Sequence, residues 1–379
     1  MKTLRIALTG GGTAGHIYPL IAVAEELEKI SIDKKLIMEI RYFGAVNSYK
    51  PELEDAGIKA SKIISGKIRR YFSFLNIIDV PKIFIGFLQA LFKFYFFMPD
   101  VLFSKGGTGA FPVVLVAWFY RIPVIIHESD AQPGLNNLFS ARFAKRIAVS
   151  FQKGLDYFDP RKSAYVGLPI RNSLIANKPE MDAAKDKLGF DPQKPLVVFL
   201  GGSQGSQKIN ELVLLSLKNL LSKTQVLHQT GASNFPETEA EVKSSFPETL
   251  AETGGKSIYR IFPYLDITGM RLALSAADLV VARSGSNIFE IAAFSKPAIL
   301  IPIAESANDH QRLNAYEFSK AGAAIVIEEA NLLPGIFMTQ ITETLANKDL
   351  LRKMGAASAN FFKPDAAKVM AEEIVRLAK

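Results

Sequence analysis

Leu4-Arg5-Ile6-Ala7-Leu8-Thr9-Gly10-Gly11-Gly12-Thr13-Ala14-Gly15-His16 is the stretch that decides the fold. A short, mostly apolar run ends in glycines, and from Pro19 an amphipathic stretch carries Leu20, Val23, Ala24 and Leu27 at helical spacing. Strand, glycine loop and helix in that order open a βαβ unit. The same order returns in Leu196-Val197-Val198-Phe199-Leu200, then Gly201-Gly202-Ser203-Gln204-Gly205, then a helical pattern through Ile209, Val213 and Leu217. Two such units predict two βαβ domains in tandem.

Working outward, Leu36–Phe43, Val101–Ser104 and Val124–His127 read as buried strands of the first half. Val226–Gln229, Leu279–Ala282 and Ala298–Ile303 read the same way in the second, with helical stretches between them. Apolar runs alternating with helices are the pattern of an α/β protein with doubly wound parallel sheets. The glycine and proline of Val166-Gly167-Leu168-Pro169-Ile170 mark the interdomain connection, and residues from Pro364 to Lys379 form an amphipathic C-terminal helix.

The chain has 379 residues, 49% hydrophobic and 22% charged, which excludes a disordered or collagen-like polymer. Its net charge of +8 is compatible with nucleic acid, anionic lipid or phosphate-rich ligands. Residues 1–165 hold 22 basic against 14 acidic side chains, and residues 166–379 hold 23 of each, so the whole excess sits in the first half. That excess adjoins an aliphatic-rich stretch rather than a nucleic-acid module, which argues against nucleic acid as a partner. With no cysteine there are no disulfides, thiolate metal sites or cysteine nucleophiles, and nothing asks for an oxidising compartment. The N-terminus lacks a secretory pattern. The most apolar segment, Ile83 to Met98, holds Lys93 and is flanked by Pro81 and Pro99; it falls short of a spanning length, so no transmembrane helix is expected.

Gly10-Gly11-Gly12-Thr13-Ala14-Gly15 satisfies G-x-G-x-x-G, where backbone N–H groups and a helix start favour a phosphate. A dinucleotide site would want an acid at the end of the second strand, and Arg41-Tyr42-Phe43-Gly44-Ala45-Val46-Asn47 supplies none. Another diphosphate ligand fits better; a bare structural turn is the alternative. His16 stands beside this loop as a base of near-neutral pKa, or as a group that only hydrogen-bonds the loop. His127-Glu128-Ser129-Asp130 ends a strand, at the edge where open α/β sheets place ligands. Arg283-Ser284-Gly285-Ser286-Asn287-Ile288-Phe289-Glu290 again runs from strand through glycine into helix, with Glu290 placed to accept from a ribose diol. Asn308-Asp309-His310-Gln311-Arg312 follows another strand and suits sugar hydroxyls. The four histidines are scattered and there is no Asp-X-Asp pair, so neither metal nor cofactor is expected. Tyr71 to Phe97 holds eight Phe, with Lys67, Arg69 and Arg70 before it. Rossmann helices explain part of this, and a surface dipping into anionic headgroups, including Phe72, Phe74, Phe84 and Phe87, explains the rest.

Gly11-Gly12-Thr13-Ala14-Gly15-His16, His127-Glu128, Pro133-Gly134-Leu135, Gly167-Leu168-Pro169-Ile170-Arg171, Gly201-Gly202-Ser203-Gln204-Gly205, His228-Gln229-Thr230-Gly231 and the Arg283–Glu290 stretch together resemble the MurG family of N-acetylglucosaminyltransferases. The motifs stand in family order over nearly the whole chain. The resemblance implies a GT-B fold, two Rossmann-like doubly wound domains facing across a cleft. Residues 1–165 would be the acceptor and membrane domain and 166–359 the donor domain, with a helix at about 360–379 returning to the first. It implies inverting transfer of N-acetylglucosamine from UDP-N-acetylglucosamine to the 4-hydroxyl of the muramoyl sugar of lipid I. The product would be lipid II for peptidoglycan, and the enzyme peripheral on the cytoplasmic face of the bacterial membrane. By position, Arg171, Ser203, Leu265, Ser286, Asn287, Ile288, Phe289, Glu290, His310 and Gln311 match donor-site residues, and Thr13, Ala14, Gly15 and Asp130 also face the donor. Gly12, Thr13, Ala14, Gly15 and His16 would meet the acceptor diphosphate, with His16 the favoured base and Glu128 the alternative. Two positions depart from the family: Ala14 replaces a glycine, and Ser129-Asp130 replaces Gln-Asn, so that Asp130 accepts but cannot donate as an amide does. The rival readings are another UDP-sugar transferase of this architecture acting on a glycolipid, and a non-catalytic UDP-sugar-binding subunit.

Overall fold

The computed structural model describes residues 3–46, 49–66, 74–202, 205–250, 255–304, 306 and 309–379, with only the backbone given for residues 74–78 and 250. Lys67, Arg69, Arg70, Phe72 and Ser203 therefore lie outside the described residues, as does the side chain of Phe74. The chain divides into two compact units, Met1–Asn172 with Lys363–Lys379, and Ser173–Phe362.

The first unit runs β1 (Thr3–Thr9), α1 (Ala14–Asp33), β2 (Ile37–Gly44), α2 (Lys50–Asp55), β3 (Lys59–Lys62), α3 (Phe74–Phe97), β4 (Val101–Ser104), α4 (Ala110–Phe119), β5 (Val124–Glu128), α5 (Leu135–Ser140), β6 (Arg146–Val149) and β7 (Ser163–Tyr165). All its strands are parallel, in the order β3-β2-β1-β4-β5-β6-β7. The second runs from α6 (Asn172–Ile175), which starts at the boundary, through α7 (Met181–Lys187), β8 (Leu196–Leu200), α8 (Gln207–Leu221), β9 (Gln225–Gln229), α9 (Phe235–Ser245), β10 (Tyr259–Phe262), α10 (Ile267–Ala276) and β11 (Leu279–Ala282). It continues with α11 (Asn287–Ala293), β12 (Ala298–Leu300), α12 (His310–Lys320), β13 (Ala324–Val326), α13 (Pro334–Ala346) and α14 (Lys348–Phe361). Its parallel order is β10-β9-β8-β11-β12-β13. Both sheets reverse direction beside their first strand, which is the doubly wound Rossmann arrangement. The final helix, α15 (Ala366–Ala378), belongs to the first unit.

Alternation along each strand feeds two apolar layers. Leu4, Ile6 and Leu8 of β1, Phe103 of β4, Ile125 of β5 and Ala148 of β6 pack with α1 and α15. Ala7, Leu102, Val124, Ile126 and Ile147 point the other way, into a layer with Ala90, Phe94 and Phe97 of α3 and Val113, Val114 and Val116 of α4. Burial on both faces is why these strands read as mainly apolar runs.

Three local expectations change. Pro19 does not open the first helix: α1 begins at Ala14 and carries Pro19 inside it. The carbonyl of Thr13 collects the N–H groups of His16 and Ile17, each at 3.0 Å, so the glycines pass directly into helix. The domain boundary lies at Asn172 rather than Tyr165. Val166 and Gly167 donate to Val149 O, Asn172 N donates to Glu25 Oε2 at 2.6 Å, and Arg171 stacks 3.7 Å from the Tyr18 ring centre. Finally, α3 continues through Pro81, and Asp79–Phe97, 19 residues, is long and apolar enough to cross a membrane by length and composition. Its Ala90, Phe94 and Phe97 are nevertheless core, and Lys93 Nζ donates to Ser61 Oγ and Lys62 O, so one face belongs to the domain. The other face is bare: Val80, Phe84, Ile85, Leu88, Phe92, Tyr95 and Phe96 are exposed. Phe84 is on that bare face, whereas Phe87 packs on the core.

The return of α15 completes the first layer, since Met370, Ala371, Ile374, Val375 and Ala378 are all buried in it. Truncating a fully buried isoleucine leaves a cavity, so Ile374→Ala is expected to destabilise the first unit by about 2–5 kcal/mol, read from its chemical denaturation midpoint.

Candidate active site

In the first unit the carboxyl ends of β1, β4 and β5 carry the polar groups, with the sheet order reversing between β1 and β4. Ligands of such sheets bind outside that point. Thr13 sits at the N-cap of α1 but spends its hydroxyl on His16, Oγ1 to Nδ1 at 2.9 Å. The N–H groups of Ala14 and Gly15 thus have no intrahelical acceptor, and they begin a 20-residue helix whose dipole favours an anion.

His16 lies between two glycines. A β-carbon on Gly11 would stand 2.9 Å from its Nδ1, and one on Gly107 would stand 2.7 Å from its Nε2. Gly107 also has φ +84°, a conformation that favours glycine. Packing around the ring, and then the Lys105 cation, hold the His16 pKa down at about 4, against a smaller upward pull from Asp130. The imidazole is neutral at pH 7 and able to take a proton.

Glu128 ends β5 fully enclosed. Its Oε1 accepts from Asp130 N at 2.9 Å, and its Oε2 accepts from Gly134 N at 3.1 Å and Asn137 Nδ2 at 2.9 Å. Burial raises its pKa, and Asp130 adds to this. Both oxygens are thus spent on N–H groups. Glu128 shapes the turn that presents Ser129 and Asp130. His127 donates from Nε2 to Gly167 O at 2.9 Å, is held neutral by burial, and is structural. Tyr42 braces the glycine loop from below, donating to Gly10 O at 2.8 Å.

The second unit repeats the plan at the ends of β8, β11 and β12. Gly205 has φ +78°, and a β-carbon there would overlap Thr230 O. Ser206 caps α8 and accepts from Arg283 Nε at 3.0 Å. Arg283 also donates to Ile301 O and pairs with Glu329 at 2.6 Å, so it ties three loops together and is itself buried. Ser284 Oγ donates to Gln311 O, and Gln311 Oε1 accepts from Ile303 N at 3.2 Å. Ser286, Asn287, Glu290, His310 and Gln311 are half-buried at this edge, with His310 the first residue of α12. Ile288 and Phe289 are buried, and Phe289 stacks on Phe361, so only their backbone can face a ligand. Leu265 is likewise 5% exposed, with Asp266 behind it capping α10. Arg171 belongs to the first unit, over Tyr18 of α1.

Sequence reasoning missed Lys105. It stands at the end of β4 and is 1% exposed; its Nζ donates to Ser129 Oγ. The available signal was Ser104-Lys105-Gly106-Gly107-Thr108-Gly109, a second glycine-rich stretch directly after a strand. Among the described residues no group of three or more His, Asp or Glu could hold a metal ion.

Residues 6–149 match the glycosyltransferase family 28 N-terminal domain, and residues 196–370 the C-terminal domain of the same family. A Clostridium botulinum protein named UDP-N-acetylglucosamine--N-acetylmuramyl-(pentapeptide) pyrophosphoryl-undecaprenol N-acetylglucosamine transferase is 36% identical over 91% of this chain and 92% of its own. The chain belongs to the MurG family. A Bacillus cereus protein of the same name, numbered 2, is 35% identical over 92% of this chain and 93% of its own. The crystal structure of Acinetobacter baumannii MurG superposes with a TM-score of 0.72 at 23% identity, covering 98% of this chain and 99% of that one. The MurG fold is thus present from end to end, as two Rossmann-like domains.

Glu128 gives a test of this MurG site. Glu128→Gln keeps the shape but sets an amide NH2 against N–H donors. It is expected to cost about 1–3 kcal/mol in a denaturation experiment, as a buried donor left unsatisfied does.

Proposed function

We infer that this chain transfers N-acetylglucosamine from UDP-N-acetylglucosamine to the 4-hydroxyl of the muramoyl sugar of a lipid-linked N-acetylmuramyl-pentapeptide, lipid I. The transfer inverts the anomeric carbon, giving lipid II and UDP. The observation that carries this is the identity of more than one third, over nine tenths of both chains, with proteins named for that reaction. The geometry supports the assignment of parts. The helix start at Ala14 and Gly15 receives the acceptor diphosphate, with neutral His16 beside it to take the hydroxyl proton. The half-buried Ser286, Asn287, Glu290, His310 and Gln311 receive the UDP-sugar, the carboxylate of Glu290 holding the ribose diol. Charge developing on the leaving UDP is met by backbone N–H groups rather than by a metal, a role that preorganised donors fill well.

The reading extends to location: the enzyme is peripheral on the cytoplasmic face of a bacterial membrane. What supports this is the bare apolar face of α3, with Trp118 and Phe119 of α4 exposed as well, in the half that carries the whole positive excess. Amphipathic helices beside cations seat in anionic headgroups.

The decisive experiment incubates the protein with UDP-N-acetylglucosamine and a short-chain lipid I analogue and looks for the disaccharide product. Binding of the UDP-sugar without product would favour a non-catalytic subunit. Chelation by EDTA is expected to leave the rate unchanged. His16→Ala should lower kcat by about 100-fold or more at saturating substrates, the usual contribution of a positioned base. Reversing charge at Lys67, Arg69 and Arg70 should weaken binding to anionic vesicles, each cation contributing about 1 kcal/mol, and leave UDP-sugar affinity alone.

A further inference from the structure

We propose that Lys105 is a positioning residue of the acceptor-side site: its ammonium fixes the Ser129–Asp130 turn and, in opposition to Asp130, sets the proton affinity of His16. This rests on the reading of His16 as the base. The placement of Lys105 is dictated by the sheet. Its backbone N–H extends the β1–β4 pairing to Thr9 O at 2.8 Å, so the residue leaves the end of β4 alongside Gly10. A β-carbon on Gly10 would lie 3.4 Å from the Lys105 β-carbon and 3.5 Å from that of His16. The two side chains therefore start from neighbouring points on the same sheet edge. Nζ then reaches the turn after β5, where it donates to Ser129 Oγ.

An ammonium at 1% exposure is costly unless opposite charge stands near it. Glu128 and Asp130 supply that charge. Burial draws the Lys105 pKa down to about 8, and the two carboxylates resist the fall. The cation is thus present at neutral pH, held inside the site rather than at the surface.

The charged groups acting on His16 come from two elements. Lys105, from the end of β4, disfavours the imidazolium, and Asp130, from the turn after β5, favours it. From its own loop His16 faces uncharged groups, the hydroxyl of Thr13 and the backbone of Gly11. Glu128 and His127 act with Lys105 rather than with His16. A carboxylate at position 130, where the family usually carries an amide, would by itself raise the affinity of His16 for a proton. Lys105 offsets that charge, so the imidazole stays neutral and available. On this account Lys105 and Asp130 form a compensating pair, and neither is interpretable alone.

The test is an NMR titration of the His16 imidazole, assigned with His16→Gln, in the wild type, Lys105→Met, Asp130→Asn and the double variant. Removing the cation should move the His16 midpoint upward by about one pH unit or more, the size of a nearby like-charge effect. Asp130→Asn should move it downward, and the double variant should return it toward the wild-type value. The acidic limb of kcat/KM should follow the same signs. The midpoints need no substrate and no turnover, so failure of the transferase reading would leave them standing, and their failure would leave that reading intact. A His16 midpoint unmoved in folded Lys105→Met, or moved in the same direction by both single changes, overturns the proposal. Should Lys105→Met not fold, wild-type protein with isotope-labelled lysine decides: a Lys105 titration below the ordinary lysine range supports the buried cation, and one within that range overturns it.

Discussion

The ring of His16 lies against backbone on two sides, and at neither is there room for a β-carbon. Gly11 closes one side and Gly107 the other. That constraint explains why glycine stands after β1 and again after β4, and why Tyr42 is buried under the loop to brace it. A side chain at either glycine would push the imidazole out of its hydrogen bond with Thr13. The rest of the first unit can be read as the means of holding these backbones at that distance. Parallel strands covered on both faces fix where each loop leaves the sheet, and α1 then begins at Ala14, its first bonded N–H groups going to the carbonyl of Thr13.

The two units solve the same problem with different chemistry. In the first, a carboxylate, Glu128, gathers three N–H groups and shapes the turn. In the second, a guanidinium does the gathering: Arg283, just after β11, joins Ser206, Ile301 and Glu329, which follow β8, β12 and β13, around one buried ion pair. Neither group is spare for substrate. Beside them stand half-exposed polar neighbours, Asp130 in the first unit and Ser286, Asn287, Glu290 and Gln311 in the second.

Much of this was legible in the sequence, for physical reasons. The central strands, β1, β4, β5, β8, β9 and β11, are largely buried and so appear as mainly apolar runs, interrupted at positions such as Arg5 and His228. Strands that are short and half-exposed, such as β3 with its sequence Lys59-Ala60-Ser61-Lys62, give no such run and went unread. Pro19 misled because proline usually marks a helix start, and here it sits past the first turn. Lys105 was invisible for a different reason. A lysine is ordinarily a surface residue, and only the fold reveals that its stem crosses the sheet edge to Ser129. Phe289 shows the converse: it lies within a ligand-facing motif, yet its ring belongs to the core.

The return of α15 to the first unit has a consequence for how the chain acquires its structure. The first apolar layer includes Met370, Ile374 and Val375, residues that leave the ribosome after the second unit. One core cluster of the second unit is drawn from residues 197–341. During synthesis the first unit is therefore completed only after the second, and its sheet must wait, one face open, while nearly two hundred further residues are made. Long-range closure of this kind slows folding, and it exposes an apolar sheet face to unwanted partners for the duration.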